Sequence, residues 1–224
     1  MEPFFTKTTF SLVLFTEAEL LPLFQNWCEA RGNRLVLVGL PFSQFRALQK
    51  WGADFWIQQK KRDHEESHTP ELYCMWYEKK EFVLRAMELF KADWYVWCDS
   101  GILRFPEWIE KMARFPRADK LVPGKMLLLQ VAEFGEKDTS LTNFQHVNRV
   151  GGGIQGADRE TWVWWSEQYD AMTKQYIASN RFCGKDQSIM ASIFLDSPGR
   201  VTLVKPPLEM DGYSKWFWLL LWLS

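Results

Sequence analysis

Short apolar runs alternate with amphipathic stretches through the first third of the chain. Residues 9–15 (TFSLVLF) form a compact apolar run that predicts a buried first strand. Residues 17–31 carry apolar positions at helical spacing and stop at Gly32, which predicts a helix with Pro22 in its first turns. Residues 35–40 (LVLVGL) predict a second strand, 43–51 a helix ended by Gly52, and 55–57 a short third strand. This rhythm predicts an α/β fold: one Rossmann-like domain over 1–224, with a mostly parallel central sheet flanked by helices.

Further along, residues 59–70 are polar and predict a loop, so His64 and His68 are expected to be surface histidines rather than a helical metal pair. A long helix is predicted over 72–92, leading into the apolar strand 94–98 and then Asp99-Ser100-Gly101. Residues 106–114 read as a short helix with proline first, and 125–132 as a strand. Residues 148–156 hold four glycines and predict a turn. Helices follow over 157–179, with Asp158 as N-cap, and over 186–195, and a strand over 201–204 closes the sheet. Neither repeats nor a linker interrupt this order.

Three places carry candidate chemistry. In open α/β sheets ligands bind beyond the carboxyl ends of strands. Asp99 sits at such an end, either capping the next turn or holding a divalent cation that bridges the phosphates of a nucleotide donor. Gly151, Gly152 and Gly153, followed by Gly156, either make a tight turn or let the backbone approach a ligand. They match neither a P-loop nor a dinucleotide fingerprint. Asp186-Gln187 opens a helix after Gly184; the aspartate is an ordinary first-turn residue or a carboxylate facing a reacting centre.

Composition narrows the partners. A net charge of −1 gives no basic excess for a nucleic-acid partner. The chain has 13 Trp and 17 Phe, clustered at 94–97, 162–165 and 216–222, which fit core packing, stacking on sugars, or a membrane interface. Cys28, Cys74, Cys98 and Cys183 form no CxxC pair, so a zinc ribbon is unsupported. Sparse cysteines without a signal pattern predict a cytoplasmic setting. The apolar tail 216–223 is too short to span a bilayer and reads as core packing, a dimer contact, or a peripheral membrane anchor.

The order of these parts resembles a known family. The stretch Trp97-Cys98-Asp99-Ser100-Gly101-Ile102-Leu103-Arg104 looks like the Trp-x-Asp-x-Gly-x-x-Arg motif of the HtrL/YibB-like proteins. The preceding helix, with Lys80, is similar to the family's upstream helix. Gly151 to Gly156 resembles its Gly-Gly-x-x-x-Gly segment, and Gly184 to Gln187 its Gly-x-Asp-Gln. The resemblance covers roughly residues 70–205.

It implies a GT-A-type glycosyltransferase that moves a sugar from a nucleotide-sugar donor to a glycan or lipid-linked acceptor, as in polysaccharide or lipopolysaccharide assembly. Carried over, Asp99 is the metal ligand. Asp99, Ser100, Gly101, Arg104, Lys80, Gly151, Gly152 and Gly153 bind the donor, and Asp186 and Gln187 lie at the reacting carbon. The implied cofactor is Mn²⁺ or Mg²⁺. The sequence departs from the wider pattern in two respects: Gly101 replaces the second Asp of Asp-x-Asp, and no histidine follows His146 to serve as a C-terminal ligand. Metal binding therefore rests on Asp99, and Arg104, Lys80 or Lys205 share the neutralisation of diphosphate. Two other readings stay open: a non-catalytic sugar- or nucleotide-binding module, and a membrane-associated assembly protein.

Overall fold

A computed structural model describes residues 8–224, apart from the side chains of Cys28, Asn33 and Ala113. The Cys28 thiol therefore lies outside the described residues, while Cys74, Cys98 and Cys183 are free thiols. The protein is α/β, with strands β1 (Leu12–Thr16), β2 (Leu35–Gly39), β3 (Trp94–Cys98), β4 (Met126–Gln130), β5 (Val150–Asp158) and β6 (Val201–Val204). Its helices are α1 (Gln25–Arg31), α2 (Arg46–Trp51), α3 (Ala53–Lys60), α4 (Pro70–Leu89), α5 (Arg159–Ala178), α6 (Asp186–Asp196) and α7 (Trp218–Trp222), with short 3-10 turns between them.

The sheet departs from the expected mostly parallel arrangement. β1 and β2 pair in parallel as a separate two-stranded sheet, and a four-stranded sheet runs β3-β5-β4-β6. Only β4 and β6 are parallel within it, because β5 runs antiparallel to both its neighbours. Strand direction is set by long-range pairing and leaves no local mark on a buried apolar run.

Two local expectations are corrected. Residues 55–57 are helical, inside α3: Gly52 turns the chain at φ 77° between α2 and α3. Trp56 is buried there while Ile57 points outward. Residues 150–158 form β5 instead of a glycine turn. Asp158 does cap α5, its side chain accepting the Thr161 N–H.

Both faces of the four-stranded sheet are covered. Along β4, Met126 and Leu128 join one apolar cluster and Leu127 and Leu129 the other, the period-two alternation of a strand. On the first face α4 and α5 meet through Tyr77 and Tyr169, and Phe82 of α4 stacks on Trp97 of β3 at 5.5 Å. Trp162 and Trp165 are wholly buried on this side. On the second face Leu219, Leu220 and Leu223 bury against Trp108, Met112 and Ile154. The apolar tail is thus packed within the molecule. Among the described residues no helix is long and apolar enough to cross a membrane.

Candidate active site

Antiparallel pairing of β3 with β5 builds the site. Cys98 lies opposite Ile154, and the Asp99 N–H donates to the Gly153 carbonyl at 2.8 Å. The carboxyl end of β3 is thereby fixed beside the start of β5, where the glycines lie. The pairing of β5 with β4 shifts register between Leu127 and Leu129, and such bulges re-aim backbone beside functional sites.

Each glycine answers to a neighbour. A Cβ on Gly151 would meet Leu129 at 3.0 Å, and one on Gly153 would meet Ile102 at 2.8 Å. A Cβ on Gly152 would lie 3.1 Å from the Asp186 Cγ and closer still to its Oδ2. The run is glycine because side chains from β4, α6 and the loop after β3 fill the space, not because it turns.

Asp186, the first residue of α6, is buried, and its Oδ1 accepts the Gln187 N–H at 2.8 Å. Its Oδ2 accepts from the Lys79 ammonium at 3.0 Å. That same ammonium donates to the Gly152 carbonyl at 2.9 Å and lies 3.3 Å from Asp99 Oδ1. Trp97 Nε1 also donates to Asp99 Oδ1, at 2.6 Å. Asp99, more exposed than Asp186, faces the opening. Four segments far apart in sequence therefore converge on one nitrogen.

The electrostatics follow from this convergence. Burial pulls the Lys79 amine down, but the Asp186 and Asp99 carboxylates outweigh it and hold the amine above the usual lysine value. Withdrawal from water raises the Asp99 carboxyl above its ordinary range, against the opposing pull of Lys79 and Trp97.

These groups lie in the wall of a cleft of about 1120 Å³. Asp99, Ser100, Gly101, Arg104, Gly151, Gly152, Gly153, Asp186 and Gln187 all line it. Arg104 is exposed and lies over Gly101, where an added Cβ would meet its guanidinium at 3.0 Å.

Lys80, expected at the donor, does not line the cleft. It points between α4 and α5, 2.5 Å from Glu81 and 3.1 Å from Asp170, with its ammonium over the Tyr77 ring. Lys79 takes the place expected of it. Helical phase carries the signal: Leu72, Met75, Trp76, Lys79, Phe82, Val83 and Ala86 share one face and all line the cleft. Lys205 is exposed, pairs with Glu133 and does not line the cleft.

Compared with protein-family models, with curated proteins and with solved structures, the chain matches none. Its reading therefore rests on its own residues and on the motif resemblance.

A divalent cation fits these residues poorly. Magnesium takes oxygen ligands at about 2.1 Å in near-octahedral geometry. Here the space between the two carboxylates is filled by an ammonium.

The histidines lie elsewhere. His64 is exposed and stacks near His146 at 4.9 Å, whereas His68 is largely enclosed, unlike the surface residue expected. Its ring nitrogens face Asp63 at 2.7 Å and Glu65 at 3.1 Å. Tyr73 donates to Asp63, and Lys185 pairs with Glu65. Asp63, Glu65 and His68 stand close enough to share an ion, yet their donor atoms are engaged with one another.

Burial pushes the Asp63 carboxyl up, but hydrogen bonds from the Glu65 N–H, Tyr73 and His68 outweigh it and hold it below the usual value. Its contribution to stability is present above the unfolded-state pKa, about 3.9, and is lost as pH falls through the folded value. Asp63→Asn is expected to lower the urea midpoint at neutral pH, with the gap to wild type closing below about pH 4. A gap unchanged across that range would remove the charge as its source.

Proposed function

We propose that the protein is a nucleotide-sugar-dependent glycosyltransferase of GT-A type, with its donor in the cleft between Asp99 and Asp186. The observation that carries this reading is the meeting of a strand-end aspartate, a glycine strand start and a helix-opening Asp-Gln in one cleft wall. The HtrL/YibB-like motifs lead to the same three segments, and the mixed sheet with its ligand cleft at the end of β3 suits that fold.

Glycosyl transfer builds positive charge on the sugar ring and negative charge on the departing phosphate. Asp186, with both oxygens already held by Lys79 and Gln187, acts as a fixed negative charge beside the cationic carbon. Arg104, exposed at the cleft, meets the phosphates with a charge that does not titrate near neutral pH. The sugar lies in the cleft beside this wall, and the acceptor hydroxyl enters from the open side.

A thermal-shift screen against UDP-, GDP-, dTDP- and CMP-sugars tests donor binding. One donor class is expected to raise the Tm of the wild type by several degrees, and Asp99→Asn to lose most of that rise. A donor rise that Asp99→Asn leaves intact would place the ligand elsewhere.

A further inference from the structure

The charged centre of the cleft is assembled around a side chain that the motif resemblance does not single out. An ammonium has three N–H donors and no acceptor. Lys79 has three partners: the Gly152 carbonyl at 2.9 Å, the Asp186 carboxylate at 3.0 Å, and the Asp99 carboxylate at 3.3 Å. Donors and partners match in number, so nothing in this buried centre is left unsatisfied. The oxygens stand at hydrogen-bond distance from the nitrogen, about 1 Å farther out than magnesium ligands stand from their ion.

The surroundings hold this spacing. Gly152 belongs to β5, between Gly151, which pairs with Leu129 of β4, and Gly153, whose carbonyl accepts the Asp99 N–H. Asp186 is held at the head of α6 and packs against the Gly152 backbone more tightly than any other residue type there would allow. Trp97 fixes Asp99 from the other side and is itself stacked on Phe82, one helical turn beyond Lys79. A divalent ion entering here would have to expel the ammonium from its carboxylates into an apolar wall, or share the space with a like charge.

We propose that the Lys79 ammonium is the resident cation of this cleft, and that donor binding there needs no divalent metal ion. Its second half rests on the glycosyltransferase reading; its first half does not. Lys79 and its two carboxylates together carry one net negative charge, so the charge that meets the leaving phosphate is that of Arg104.

Two measurements on the full chain decide it. First, free Mn²⁺ is followed by electron paramagnetic resonance in the presence of wild type and Asp99→Asn. Equal signals for the two proteins are expected; uptake by wild type that Asp99→Asn abolishes would overturn the assignment. Uptake that Asp99→Asn leaves unchanged lies outside the cleft and agrees with it. Second, the donor-induced rise in Tm is compared in Mn²⁺ and in EDTA. The same rise in both is expected, and a rise seen only with Mn²⁺ contradicts the proposal. If no donor raises the Tm, the glycosyltransferase reading fails, while the Mn²⁺ result still decides what occupies the carboxylate pair.

Discussion

Asp186→Asn is expected to lower sugar transfer by about a hundred- to a thousand-fold while the protein stays folded. The substitution keeps the shape of the side chain and the contact with Gln187, and removes the negative charge. With it goes the stabilisation of the cationic carbon, a term of the size seen when one preorganised group is lost from a site. The stability change is smaller in its consequences. Breaking a buried ion pair costs about 3–5 kcal/mol when the surviving charge is left alone. Here Asp99 and the Gly152 carbonyl remain on Lys79, so the loss lies at or below that range. Circular dichroism and the urea midpoint separate the two effects: transfer falls far more than the folded fraction. Wild-type transfer in a folded Asp186→Asn sample would end the assignment of this carboxylate.

Gly152→Ala is the second large effect. A methyl group here has little freedom, because it would press on the Asp186 carboxylate while the flanking Gly151 pairs with Leu129 and Gly153 accepts the Asp99 N–H. Overpacking of this kind costs about 1–3 kcal/mol. The functional loss is greater, since the relief comes from moving Asp186 off Lys79, and a displacement of about 1 Å in a site costs on the order of a hundredfold in rate. Gly199→Ala is the control, with nothing within 4 Å of its added Cβ. It is expected to match wild type in both transfer and Tm. Full transfer in Gly152→Ala would mean that the close contact with Asp186 has no part in the reaction.

The convergence of the candidate residues was more legible in the sequence than the architecture around them. Asp99 follows an apolar run and precedes glycine, and Asp186 opens a helix, so both stand out as acidic residues at element ends. The glycines were legible as a close approach but not as a strand. Residues without side chains carry no alternation of polar and apolar positions, and the reason for them lies in Leu129, Asp186 and Ile102. The choice between Lys79 and Lys80 needed the phase of α4, which the neighbouring apolar positions Met75, Trp76, Phe82 and Val83 contain. Strand direction was not available at all. The antiparallel course of β5, which brings the glycines to Asp99, is set by partners fifty residues apart and more.

The tryptophan clusters show the same limit. Trp162 and Trp165 fill the space beneath α5, and the 216–222 segment folds as a 3-10 turn and α7 over the second face of the sheet. Aromatic richness alone fits packing, sugar stacking and membrane contact equally. Burial favours packing for Trp162 and Trp165, because a wholly enclosed indole has no face to offer a ligand, whereas Trp216, Trp218 and Trp222 are half-buried.

The most direct test is nucleotide release from the stabilising donor, followed side by side for the wild type and for Asp186→Asn. The account predicts steady release by the wild type, with and without EDTA, and release by the variant reduced to near the uncatalysed rate. Equal release from both proteins, or none from the wild type with any donor and any acceptor glycan supplied, would contradict it.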